Sequence, residues 1–294
     1  MHLFIGGFSI KEAIQTCKYY IQHKQRPILN YAIESIHNKN KIASDHTTFH
    51  EYCSIIEHHY RHNSMYNDTC VFDIALKYSS LHEPVSHMNA IASLCKKKKM
   101  KLFVDAENVS EYYTYKTHIH DAILRFNKNA YVIYKTYQMY RKDALYELQN
   151  DVDFFKMKDC YLGIKLVRGA YFHQDKNSNQ LFLNKEETDQ QYNDALMYLY
   201  DKMSHNSKLN IHTIVASHNT TSCELAIIFN RHLSRHHQFS FAHLQGMSEK
   251  NAKQYTHRNQ KVYVYIPYGP IQEIIPYLSR RAYENIDMFL PKKL

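Results

Sequence analysis

"YLGIKLVRGAY" at residues 161–171, the periodic stretch "DQQYNDALMYLYDKMSH" (189–205) and then "NIHTIVASHN" (210–219) read as strand, helix, strand. The two outer runs are rich in aliphatic and β-branched residues, while in the middle segment apolar residues return every three or four positions. Near-continuous apolar strands separated by helices imply a parallel sheet covered by helices on its faces.

Working outward, strand candidates recur along the whole chain: "PILNYAI" (27–33), "VFDIALK" (71–77), "KLFVDAE" (101–107), "AYVIYKTYQ" (130–138), "QFSFAHLQGM" (238–247) and "KVYVYIPYG" (261–269). With the two runs above they make eight strands alternating with helical segments. Eight such units in 294 residues, close to the ~250 typical of the fold, predict an α/β protein built as a TIM-like (β/α)8 barrel. An open doubly wound sheet is the main competitor. No linker, long charge block or low-complexity tract interrupts the chain, so residues 1–294 are expected to form a single barrel domain.

Composition narrows the function classes. Apolar residues at 44% and aromatics at 14% suffice for a packed core. No run reaches the ~18 uninterrupted apolar residues of a spanning helix. The N-terminus has too short an apolar core for a signal peptide and lacks an Arg- and Ser-rich transit stretch. Six scattered cysteines without a C-x-x-C pair suit a reducing compartment and are expected to be buried thiols. The net charge of +9 is spread out except at "CKKKKMK" (95–101), which reads as a solvated helix end. Nucleic-acid binding is not expected, because no binding motif accompanies the charge. No G-x-G-x-x-G or P-loop pattern occurs among the six glycines, which excludes a Rossmann dinucleotide domain. His58 and His62 stand at i, i+4, a spacing that can grip a metal, but among 21 histidines such pairs arise by chance, and no metal site is expected.

Barrel chemistry sits at the C-terminal ends of strands. The expected exits are rich in polar groups: Lys77, Asp105 and Glu107, Gln138, Arg168 to Tyr171, His218 and Asn219, Leu244 and Gln245, and Tyr265. After the last strand, "IQEIIPYLSRRAYEN" reads as a helix with Pro276 inside or near its start. Tyr277, Arg280, Arg281 and Glu284 at i, i+3, i+4 and i+7 share one face. Two permanently charged guanidiniums over a barrel mouth suit a carboxylate or a phosphate. Barrel phosphate sites usually rely on glycine-rich loops, which favours the carboxylate here. Tyr171, Leu244, Tyr265 and Tyr277 would give that ligand an apolar wall.

In order and spacing, "VDAE", "YQ", "KLVRGAY", "ASHN", "LQGM", "PYGP" and "PYLSRRAYEN" resemble the flavin-dependent proline dehydrogenases, and the C-terminal wording is similar to that of the eukaryotic monofunctional enzymes. The resemblance implies a distorted (β/α)8 barrel with noncovalent FAD that oxidises L-proline to 1-pyrroline-5-carboxylate and passes electrons to a quinone. By the same resemblance Arg280 and Arg281 bind the substrate carboxylate with help from Lys77, and Glu284 holds the arginine pair. Asp105 lies beside the substrate, and Tyr265, Tyr277, Tyr171 and Leu244 pack around its ring. Ala106, Gln138, Lys165, Val167, Gly169, His218 and Asn219 match flavin-contacting positions, with Lys165 on the N5 side, where many bacterial relatives carry arginine. The resemblance further implies mitochondrial residence, peripheral to the matrix side of the inner membrane, although the chain lacks the long N-terminal extension eukaryotic relatives tend to carry. The oligomeric state is not legible.

Each residue also has a bland reading: Asp105 as a helix cap, the tyrosines as core aromatics, His218 as a buried hydrogen-bonded histidine. Two further functions stay open. One is hydroxyproline oxidation, disfavoured by the bulk of Tyr265; the other is a catalytically silent barrel acting as a binding subunit, disfavoured by the intact Lys77, Asp105, Arg280 and Arg281.

Overall fold

The computed structural model describes residues 4–33, 42–65, 71–206, 209–234 and 237–284. In chain order the elements are α1 (Ile10–Gln22), β1 (Gln25–Tyr31), α2 (Ile42–Met65), β2 (Asp73–Lys77), α3 (Pro84–Lys98), β3 (Leu102–Asp105), α4 (Val109–Phe126), β4 (Ile133–Gln138) and α5 (Ala144–Met157). They continue with β5 (Leu162–Val167), α6 (Phe172–Asp175), α7 (Lys185–His205), β6 (Ile211–Ala216), α8 (Thr220–Asn230), β7 (Ser240–Leu244), α9 (Glu249–His257), β8 (Val262–Tyr268) and α10 (Ile271–Glu284). All eight strand candidates are strands, and they close into a parallel barrel in the order β1 to β8. Closure excludes the open sheet. It is made by β1 and β8, which pair from Gln25↔Val262 to Tyr31↔Tyr268.

Period-two alternation along each strand sorts side chains between the lumen and the helices. Ile28, Ala75, Phe103, Tyr134, Ile214, Ala242 and Tyr263 fill the middle of the lumen. At Gly163 an added Cβ would lie 2.7 Å from the Tyr134 ring, so this glycine makes room for the ring to cross the barrel. Leu29, Ile74, Leu76, Val104, Leu166, Val215, Val264 and Ile266 point the other way, into a larger core under the helices. Helix starts follow local rules: Ser9, Asn108, Asn184 and Asn219 accept hydrogen bonds from backbone N–H groups of their first turns. The Lys96–Lys98 run ends α3, where the helix dipole favours positive charge.

The foot of the lumen is polar. Arg26 grips Asp73 through Nε and a second nitrogen at 2.5 and 2.7 Å. Lys101 donates to the Tyr263 hydroxyl at 2.5 Å, and burial pushes its ammonium pKa down to about 8. Tyr134 and Ser240 bracket the His212 ring at 2.7 and 3.0 Å. No described helix is long and apolar enough to cross a membrane. Of the cysteines, Cys17, Cys95, Cys160 and Cys223 are buried thiols as expected. Cys53 is instead partly exposed, because α2 buries the face carrying Tyr52, Ile55, Ile56 and His59 and Cys53 stands beside that face; Cys70 lies outside the described residues.

Outside the lumen, Lys135 of β4 is a fully buried cation. Its ammonium meets His120 Nε2 at 2.9 Å, Glu147 Oε1 at 2.7 Å and Asp151 Oδ2 at 2.6 Å. Those three groups are spaced as metal ligands would be, within 4.8 Å of one another, and the lysine already occupies their centre. Burial alone would raise the Asp151 pKa, but the His120 hydrogen bond and the Lys135 charge hold it down at about 2. A depressed carboxylate stabilises the fold above its unfolded pKa of ~3.9, and the contribution is lost as pH falls toward the folded value. Lys135→Met leaves Asp151 without its cation, while Glu147 keeps Arg141 at 2.8 Å, and is expected to cost about 3–5 kcal/mol, read as a lower denaturation midpoint at pH 7. The gap between mutant and parent should narrow between pH 4 and pH 2.

Candidate functional site

Lys77, Asp105, Gln138, Val167 and Leu244 are the last residues of β2, β3, β4, β5 and β7. Parallel closure brings these ends to one rim, and there a cavity of about 500 Å³ opens. It is lined by Lys77, Asp105, Ala106, Gln138, Lys165, Val167, Gly169, Tyr171, His218, Asn219, Leu244, Tyr265, Tyr277 and Arg281. Residues assigned from scattered stretches of sequence therefore share one space.

At its centre is the Asp105 carboxylate. Lys165 Nζ lies 2.5 Å from Oδ1, and the Tyr265 hydroxyl donates to Oδ2 at 2.6 Å. Lys165 also stands 5.0 Å from the centre of the Tyr265 ring, so strands β3, β5 and β8 meet through three side chains. Burial would raise the Asp105 pKa, yet the charge and hydrogen bond of Lys165, the Tyr265 hydroxyl and the charge of Lys77 keep it below the usual carboxylate range. Burial and the Asp105 charge drive the Tyr265 pKa far up, so its hydroxyl stays protonated and donates. Asp105 does not cap α4; Asn108 does.

The β2 exit is braced from behind. Glu107 is buried and accepts from the Ser79 N–H at 2.9 Å and from the Ser79 hydroxyl. Ser80 donates to the Lys77 carbonyl at 2.7 Å. Lys77 itself is buried, its ammonium 5.1 Å from the Tyr277 ring centre. Gln138 donates to the carbonyls of Ala106 and Glu107 at 3.3 and 3.1 Å. Its Oε1 is buried at the cavity wall with no hydrogen-bond partner among the described residues. His218 Nδ1 lies 3.0 Å from the Ser248 hydroxyl, and burial with the nearby charges of His243 and Arg168 lowers its pKa to about 4. At Gly169 φ is +141°, and an added Cβ would fall 1.8 Å from the Tyr140 ring, so only glycine fits the turn.

The α10 helix lies across the rim. Its inner side anchors through Ile274 and Tyr277 against Ile5 and Ala32. Pro276 is inside the helix, leaving the Gln272 carbonyl without the usual N–H donor at that point. The two arginines separate in role: Arg281 lines the cavity, while the Arg280 guanidinium stacks 4.5 Å over the Tyr171 ring. The Glu284 side chain lies outside the described residues, as does that of His62.

The sequence profile of the proline dehydrogenase family matches residues 13–289. The chain belongs to the proline dehydrogenase family. It is 32% identical over 219 residues to "Proline dehydrogenase 1, mitochondrial" of Homo sapiens, covering 68% of this chain and 35% of the human one. To the hydroxyproline dehydrogenase of Bos taurus it is 30% identical over 219 residues, covering 70% of this chain and 46% of the relative. A solved structure of proline utilization A from Bdellovibrio bacteriovorus superposes with a TM-score of 0.86 at 18% identity, over 97% of this chain and 32% of the larger one. The chain thus spans about a third of the length of the human enzyme.

Two cavity residues of this proline dehydrogenase relative, Arg168 and Lys185, were given no role by the sequence reading. Arg168, quoted within "KLVRGAY" as part of the strand exit, meets Asp189 at 2.5 Å, Ser217 at 2.6 Å and Ser222 at 3.0 Å, and stacks on Tyr192. Lys185 pairs with the same Asp189 from the start of α7. Their i, i+4 spacing on a helix was the available signal. Lys165→Met is expected to raise the Asp105 pKa, because the largest opposing charge is removed; ¹³C NMR of the labelled carboxyl follows the shift. An unmoved titration would mean that Lys77 and Tyr265 suffice to hold it.

Proposed function

We propose that this chain oxidises L-proline to 1-pyrroline-5-carboxylate with noncovalently bound FAD. The observation that carries this reading is one cavity holding a cationic wall, Arg281 with Lys77, together with the Asp105–Lys165–Tyr265 cluster and four apolar or aromatic side chains.

The residues fit a flavin. Gln138 offers an unpartnered buried acceptor to a ring N–H, and Lys165 offers a cation. Arg168, Lys185 and the N-terminus of α8 gather positive potential at the same cavity. Ala106, Gln138, Lys165, Val167, Gly169, His218 and Asn219 would hold the cofactor. Bound FAD supplies the two-electron acceptor that no side chain can provide.

The protein's part is binding, orientation and exclusion of water. Arg281, with Arg280 beside it and Lys77 opposite, takes the substrate carboxylate; a charge-assisted contact of this type contributes ~1.5–3 kcal/mol. Glu284 would steady the arginine pair. Tyr171, Leu244, Tyr265 and Tyr277 enclose the ring and keep water out. Asp105, held ionised, offers a counter-charge to the substrate nitrogen. The substrate loses a C–H hydride and an N–H proton and leaves with a C=N bond.

Transfer of the electrons to a quinone, and residence in the mitochondrion at the membrane surface, are part of the same proposal. It takes residues 1–294 as the catalytic barrel domain. A hydroxyproline substrate is less well accommodated, because Tyr265 is pinned by Asp105 at 2.6 Å and cannot swing aside without breaking that bond.

Anaerobic mixing of FAD-loaded protein with L-proline should bleach the flavin and yield pyrroline-5-carboxylate; flavin retained without bleaching would count against the reading. Arg281→Ala should raise the proline KM at least about tenfold with flavin content unchanged. Tyr265→Ser should narrow the preference for proline over hydroxyproline, read from the ratio of kcat/KM values.

A further inference from the structure

The lumen contains one buried amide that none of the assignments above uses. Asn30 lies in β1 two residues after the inward-facing Ile28 and so faces the lumen as well. It is completely buried, and neither Oδ1 nor Nδ2 has a hydrogen-bond partner among the described residues. Other buried asparagines are satisfied: Asn127 donates to the Ile133 and Tyr161 carbonyls at 2.8 and 2.9 Å, and Asn230 donates to Phe239 at 2.9 Å. An unpaired buried amide is costly to the fold and calls for a reason.

Register shows what surrounds it. Asn30 pairs with Ala75 on β2 and with Pro267 on β8. Two residues further along β2, on the same face, is Lys77; two residues back along β8 is Tyr265. A two-residue rise of ~6.6 Å and a strand spacing of ~4.8 Å put the Asn30 and Lys77 Cα atoms ~8 Å apart, within reach of a lysine side chain. Asn30 thus sits in the wall between two residues of the proposed substrate site.

We infer that Asn30 is a positioning residue for Lys77, its Oδ1 accepting a hydrogen bond from the Lys77 ammonium when a substrate carboxylate is bound. The inference rests on the proline-binding reading of the cavity. An ammonium carries three N–H donors, enough to meet a carboxylate and the Asn30 oxygen together. With Asn30 as an added acceptor, Lys77 presents its charge to the carboxylate in a defined orientation. The orphaned amide is then an acceptor kept ready for use.

The test compares FAD-loaded parent, Asn30→Leu and Asn30→Asp by proline kinetics, by titration with tetrahydrofuran-2-carboxylate and by thermal melting. Asn30→Leu removes the acceptor and should raise the proline KM and the analogue Kd roughly ten- to a hundredfold, with kcat at saturation changed little. Its Tm should stay level or rise, since an unpaired amide gives way to an apolar group of similar size. Asn30→Asp keeps an acceptor toward Lys77 and should recover most of the affinity. If the leucine variant does not fold, Asn30→Ala carries the same expectation. An unchanged KM in the folded apolar variant, or equal losses in the apolar and aspartate variants, would overturn the inference. Failure of the parent itself to bind proline or the analogue would instead defeat the functional reading, and the inference with it.

Discussion

Everything at the mouth of this molecule depends on the pairing of β1 with β8. Seven matched positions from Gln25↔Val262 to Tyr31↔Tyr268 join the first strand to the last. Without that seam, residues from β2 and β8 would stand at separate places along an open edge. With it, Lys77, Asp105, Lys165 and Tyr265 face one another across a lumen whose middle is packed solid by Phe103, Tyr134 and Tyr263. The packed layer gives the upper side chains a floor. They are buried enough for their charges to act strongly, yet open on one side to a ligand.

Charge is handled differently in three zones. At the foot, Arg26 and Asp73 neutralise each other beneath the aromatic layer. Behind β4, the Lys135 ammonium is enclosed by two carboxylates and an imidazole. In both zones the partners saturate one another, as buried ions must if the fold is to tolerate them. At the mouth, Asp105 is shared between Lys165 and Tyr265, Gln138 has an acceptor to spare, and Arg281 faces the cavity. The Gln138 acceptor left over there is one that a ligand could satisfy.

The fold was legible because eight apolar runs were long and regular, and because helical periodicity between them left only parallel arrangements. Most of the cavity was legible because barrel geometry turns a position at a strand end into a position in space. What escaped reading depended on rotamers and on register. Arg280 and Arg281 are adjacent in sequence, yet one stacks on Tyr171 and the other lines the cavity; spacing on a helix alone does not separate them. Lys135 sits in a strand beside apolar neighbours and gave no sign that its partners come from α4 and α5. Asn30 in "PILNYAI" looked like an ordinary strand residue, since only the finished register sets it beside Lys77.

The polar plug at the foot has a consequence for traffic. Arg26, Asp73, Lys101, Tyr263, Tyr134 and His212 fill the end of the lumen opposite the cavity, so among the described residues the doorway lies on the C-terminal side. On the proposed function, substrate, product and electron acceptor would share that doorway. A lumen closed at its foot would act as a cul-de-sac rather than a corridor, and the order of arrivals and departures would then depend on the architecture as well as on relative affinities.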